Sequence, residues 1–133
     1  MITLIRCAAF MRRNYPPCRY WPRERLLSWL GWYWRNKAVG AVVEGTRIAG
    51  VGIARPVYSL AEGEAHYVIQ PGGSILWVDA VAAKDTRSMG LLMILAGNMW
   101  GERVLVAGHL PNQTRHRVLP WSTLMKKLAG KVR

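Results

Sequence analysis

The spacing of apolar residues changes along the chain, and each pattern predicts a different element. Between Trp21 and Asn36, the residues Leu26, Leu30 and Tyr33, with Trp29 beside them, recur at the spacing that collects side chains on one helical face. Pro22 stands near the first helical position, where its missing N–H costs nothing, and Asn36 lies near the end. Gly31 weakens this helix. From Ala38 the period shortens. The run AVGAVVEGTRIAGVGIARPV reads as two strands joined by a two-residue hairpin connection at Glu44-Gly45, with glycine free to take positive φ. Ser74 to Ala83 (SILWVDAVAA) is almost continuously apolar, as expected of a strand buried on both faces.

The remaining segments are less regular. Ile2 to Cys7 alternates loosely and is β-branched enough to predict a first strand, followed by a basic stretch that Pro16-Pro17 interrupts. Gly40, Gly50 and Gly52 within the strands predict a bulge or a close backbone approach, and Pro56 predicts an end to central pairing or an edge. A short strand is expected at His66 to Ile69, and a turn at Pro71-Gly72-Gly73. Lys84 to Arg87 reads as a turn, and Ser88 to Trp100 as a helix closed by Gly101, with Gly90 in its first turn. Arg103 to Ala107 reads as a strand and His109 to Asn112 as a loop. Asn112 or Thr114 then caps a last helix, interrupted at Pro120 and resuming through TLMKKLAG to Gly130. Repeats, linkers and low-complexity tracts are not evident. The order β, α, antiparallel meander, β-α-β-α predicts one α/β (α+β) domain over residues 1–133, with a mixed, mostly antiparallel sheet flanked by helices.

Composition fits one globular core: 133 residues, 51% hydrophobic and 20% charged. The net charge of +12 favours anionic partners such as nucleic acid, phosphorylated cofactors or a membrane surface, without choosing among them. It is unevenly spread: residues 1–37 carry eight Arg/Lys against Glu24 (+7), residues 38–80 carry two against four acids (−2), and residues 81–133 carry nine against two (+7). Cys7 and Cys18 form neither a metal pattern nor a disulfide framework. The start resembles a secretory leader poorly, and no apolar run approaches the roughly 20 residues that span a bilayer, so a soluble cytoplasmic protein is expected. The cluster Arg12, Arg13, Tyr15, Arg19, Tyr20, Trp21, Arg23 and Arg25 combines phosphate-neutralising charge with rings able to stack on bases. The Leu26–Leu30–Tyr33 spacing favours the other reading, a packed helical layer whose Arg stems cover aromatic edges. In HLPNQTRHR, two histidines seven apart with no acid or Cys nearby make a poor metal site, while Arg115 and Arg117 could reach a cofactor phosphate.

The segment DAVAAKDTRSMGLL, from Asp79 to Leu92, carries the most specific chemistry. A buried strand leads into a turn with Lys84 and Arg87 and then into a helix start, where unpaired amides and the dipole favour phosphate. Here the chain resembles the GNAT (Gcn5-related N-acetyltransferase) superfamily, whose acetyl-CoA motif is R/Q-x-x-G-x-G/A between its fourth strand and third helix. Arg87-Ser88-Met89-Gly90-Leu91-Leu92 matches the arginine and the first glycine, with Leu92 in place of the last small residue and a turn about one residue shorter. The order of elements is similar over nearly the whole chain. The tail LMKKLAGKV is similar to the family's closing LYEKLGF, and Asn112 follows strand five, where many members carry asparagine.

The resemblance implies acetyl-CoA as cosubstrate, held by Val81, Ala83, Arg87, Ser88, Met89, Gly90, Leu91 and Asn112, with its pantetheine arm in a V-shaped gap between strands four and five. It implies acetyl transfer to an unknown amine, and an acidic acceptor would suit the basic N-terminal wall. The family's general-acid tyrosine falls at Met125, which cannot donate a proton, and about six extra residues precede the tail. Asp79 is the best-placed candidate base, with Glu44, His66 and His109 behind it. The alternative is a catalytically inactive GNAT-like structural or nucleic-acid-binding protein, such as a phage virion-associated one.

Overall fold

A computed structural model describes residues 1–109 and 116–130. The chain opens with helix α1 (Leu4–Asn14), a 3-10 turn (Pro16–Cys18) and helix α2 (Arg23–Arg35). Strands β1 (Val39–Glu44) and β2 (Arg47–Val57), the short helix α3 (Leu60–Ala65) and strand β3 (Ile75–Ala83) follow. Helix α4 (Thr86–Trp100), strands β4 (Leu105–His109) and β5 (His116–Pro120), and helix α5 (Trp121–Ala129) complete it. The five strands lie in the order β1-β2-β3-β4-β5, antiparallel except for the parallel β3–β4 pair, so the mixed, mainly antiparallel sheet is as the sequence predicts. No helix among the described residues is long and apolar enough to cross a membrane.

Four local expectations are corrected. Residues 2–7 begin a helix rather than a strand: the Thr3 hydroxyl accepts the Arg6 amide, and Leu4, Cys7, Ala8 and Met11 form a stripe that packs in the core. Residues 66–69 form no strand. Instead Ser59 caps α3 by accepting the Glu62 amide, while Glu62 reaches back to the Tyr58 amide. Residues 116–120 pair with β4 as a strand, and the last helix starts only after Pro120. The hairpin connection is Gly45-Thr46, one residue later than predicted, since Glu44 pairs with Arg47; Gly45 takes φ 65°. Pro56 is tolerated because β1 reaches only to Ile53, leaving a local edge on that flank.

The sheet is covered on both faces. Val51, Ile53, Ala80 and Ala82 pack with α1 and α2, whereas Ala54, Leu76, Met93, Val106 and Trp121 pack on the side of α4 and α5. The strand glycines explain how α4 lies so close: a Cβ at Gly50 would meet Leu92 Cδ1 at 3.0 Å, and one at Gly40 would meet Leu95 Cδ2 at 3.0 Å. This helix runs on to Gly101, whose φ of 77° ends it.

Candidate functional site

Among the described residues, the pairing of β3 with β4 ends beside a cleft. The β3–β4 rungs run from Ile75↔Leu105 to Val78↔Gly108. A Cβ on Gly108 would come within 2.7 Å of the Val78 carbonyl oxygen, so only glycine allows that last close approach. The next residue of β3, Asp79, is a bulge: Ile53 pairs with Ala80 and Ala54 with Val78, leaving Asp79 between them. A bulge bends its strand and re-aims side chains. It also reverses the alternation, so that Ala80 and Ala82 turn to the α1–α2 side while Val81 faces α4. Beyond it, residues 80–83 pair with β2, and neither they nor Asp79 have a β4 partner among the described residues. Here lies an open cleft of about 320 Å³, with Asp79 and Val81 on one wall and Met89 and Met93 of α4 on another. Tyr15 and Arg117 bring polar groups to it.

Asp79 does not stand alone. Arg55, 2% exposed on β2, donates Nε–H to Asp79 Oδ2 at 3.0 Å and Nη2–H to Oδ1 at 3.2 Å. Its other donors reach the carbonyls of His66 (2.5 Å), Val68 (2.9 Å) and Gly63 (2.6 Å). All five guanidinium N–H groups are thereby used, which is the condition for burying an arginine without large cost. Burial raises the Asp79 carboxyl above its ordinary value, and Arg55 partly offsets this. The Tyr33 hydroxyl is buried beside the same carboxylate, near enough to act on its charge but not aligned as a full hydrogen bond. Burial also holds the Tyr15 phenol up, with Cys18 and Asp79 adding to the effect, so it remains a proton donor at neutral pH.

The other sequence-predicted residues divide. Val81 and Met89 line the cleft with Asp79, while Ala83 ends β3 half-buried beyond it. Helix α4 begins at Thr86, two residues earlier than expected, because Asp85 caps it by accepting the Ser88 amide at 2.8 Å. Gly90 therefore sits past the first turn and is buried, Arg87 is exposed near the cap, Ser88 is buried against Asp85, and Leu91 is half-buried. Glu44 is an exposed hairpin residue paired to Lys84 at 2.7 Å, and His66 contributes its carbonyl to Arg55. Asn112, Thr114 and Arg115 lie outside the described residues, as does the His109 side chain. Arg55 and Tyr15 were not singled out for the site. The readable signal for Arg55 was one charge within an apolar strand, matched by Asp79 within the next.

Comparison with solved structures finds the GphF GNAT-like decarboxylase in complex with isobutyryl-CoA, at a TM-score of 0.55 and 17% sequence identity. The fold is GNAT-like. The match covers 79% of this chain and 60% of that protein, so the chain spans little more than half its length. No protein-family model matches the sequence, and no curated protein matches it. The likeness extends to a GNAT-like architecture and carries no residue roles at this identity.

Proposed function

We propose that the cleft beyond the Val78–Gly108 rung binds the acyl-pantetheine part of a CoA thioester. The observation that carries this reading is the edge of β3 at Asp79 to Val81, which has no β4 partner among the described residues and lines a cleft of about 320 Å³. An extended amide-containing arm can pair with such an edge as an added strand would. Met89, Met93 and Val81 supply an apolar wall for the acyl chain, and Arg117 supplies a cation for an anionic group. The GNAT-like neighbour with isobutyryl-CoA bound supports the same ligand class.

The finer reading is acetyl transfer from acetyl-CoA to an amine acceptor. The amine nitrogen would attack the thioester carbonyl, the C–S bond would break, and CoA would leave as a thiol once its sulfur gained a proton. Asp79, raised by burial, is the proposed acceptor of the amine proton, directly or through water. Arg87, exposed near the cap of α4, would meet a cofactor phosphate, with Ser88, Gly90 and Leu91 packed behind it in the helix and Ala83 at the mouth. A second reading keeps the ligand and drops the transfer, favoured by the occupation of both Asp79 oxygens by Arg55 and by Met125 in place of a proton donor.

Isothermal titration calorimetry with acetyl-CoA and isobutyryl-CoA tests the shared part. Saturable binding, weakened at least tenfold in Met89→Glu with an unchanged circular dichroism spectrum, is expected. Absence of heat at about 1 mM ligand would end the proposal. Release of free thiol with an amine present then separates the two readings.

A further inference from the structure

A second open groove, of about 710 Å³, shares no lining residue with the cleft. It is formed by Trp21, Arg25, Ser28, Trp29, Trp32 and Tyr67. We propose that this groove binds single-stranded nucleic acid, with bases stacking on its rings and phosphates meeting the surrounding arginines.

Core packing accounts for only part of these rings: Trp21, Trp29 and Trp32 pack against the core beneath α1 and α2 yet keep exposed surface. Leu26, Leu30 and Tyr33 of α2 are 2% exposed or less, whereas Trp21, Trp29 and Trp32 remain half-buried and Tyr67 is 62% exposed. Trp21 meets Trp29 edge-on at 5.2 Å and 83°, and Trp32 meets Tyr67 at 5.6 Å and 62°. An edge-on contact covers fewer ring faces than parallel stacking, leaving flat apolar surface within reach of a base. Arg25 already stacks over Trp21 at 4.1 Å, an arrangement that suits a guanidinium between a ring and a phosphate.

Charge selects the occupant. The described lining has one cation (Arg25), two hydroxyls (Ser28 and Tyr67) and no acid. A cationic ligand is disfavoured by Arg25 and by the +7 balance of residues 1–37. A sugar would lack the carboxylate and amide partners its hydroxyls need. A polyanion with exposed π faces meets both features. Arg19, Arg23 and Arg25 are exposed around the entrance to α2, and Arg12 donates to the Trp21 carbonyl at 3.1 Å. Duplex DNA, with its bases already stacked, offers the rings no face.

The test is fluorescence anisotropy with a labelled oligodeoxythymidine of about 12 nucleotides, followed alongside intrinsic tryptophan emission. Saturable binding that quenches tryptophan, exceeds duplex binding and falls with salt is expected. Tyr67→Ala and Trp32→Ala should each weaken binding by roughly 5- to 150-fold without changing the salt slope. Arg25→Gln should reduce that slope by about one. Trp32 and Tyr67 both touch the buried Tyr33, so circular dichroism checks the fold of each variant, and Tyr67→Ala, which removes the more exposed ring, keeps the test valid if Trp32→Ala misfolds. No binding, or ring variants that bind like the parent, would overturn the proposal. Equally tight binding of inorganic polyphosphate or poly-glutamate would also overturn it, marking a general anionic or acidic-protein surface instead.

Discussion

Replacing Arg55 by Leu should be among the most damaging single changes in the protein. The guanidinium is 2% exposed and makes five hydrogen bonds, two of them to a carboxylate whose side chain is 12% exposed. Its loss leaves Asp79 buried without its charge partner, which costs about 3–5 kcal/mol. The carbonyls of His66 and Val68 are near the surface and can rehydrate, but that of the buried Gly63 adds about 1 kcal/mol or more. Urea unfolding reads this directly. With a slope of about 2 kcal/mol per M, a loss of about 4 kcal/mol moves the midpoint down by about 2 M. Replacing both residues, Arg55→Leu with Asp79→Leu, should restore at least about 2 kcal/mol of that loss, because an apolar pair carries no uncompensated charge. The pH dependence has a definite sign. Without Arg55 the folded Asp79 carboxyl rises further above 3.8, so the folded state keeps a proton that the unfolded state releases. The variant's stability therefore falls as pH rises from 3.8 upward, and its deficit is larger near neutrality than in acid. A loss below about 1 kcal/mol, or a double variant no better than the single one, would refute the reasoning.

Two further changes probe other parts of the fold. A Cβ added at Gly63 would lie 2.5 Å from Trp77 Cδ2, so Gly63→Ala overpacks α3 against β3; differential scanning calorimetry should show Tm lower by roughly 3–10 °C, and an unchanged Tm would contradict the packing. Cys7 is fully buried and burial pushes its thiol up to about 11, while burial also raises Cys18. Both should resist a thiol reagent near pH 8 in the folded protein and react on unfolding. Because the folded Cys7 holds its proton longer than the unfolded one, stability should decline from pH 9.0 towards about 11; rapid native labelling would contradict this.

Much of the architecture could be read from periodicity, because long elements average out local exceptions. Helix α2, the β1–β2 hairpin and β3 all follow their spacing within one or two residues. At α1, β-branched Ile2 and Thr3 suggested a strand, yet Leu4, Cys7, Ala8 and Met11 already held a helical stripe that proved decisive. Strand β5 escaped notice because five residues paired with β4 are stabilised by that partner rather than by their own pattern. The site was legible only in part. Asp79 and Val81 were identifiable on β3, but the bulge was hidden because apolar residues on both sides of it leave no alternation to interrupt. The start of α4 moved because Asp85 is a better cap than the motif alignment allowed, carrying Gly90 past the first turn. The Arg55–Asp79 pair is a long-range fact that two isolated charges in two apolar strands hinted at without joining.

Residues 79–83 of β3, which have no β4 partner among the described residues, form the proposed binding edge for the CoA thioester. Backbone amide chemical shifts of residues 79–83, followed by NMR during titration with isobutyryl-CoA or acetyl-CoA, test this most directly. Saturable shifts at Asp79 to Ala83, with Met89 and Met93 responding alongside, are predicted. Unmoved amides there at about 1 mM ligand, or changes confined to the basic surface of α1 and α2, would contradict it.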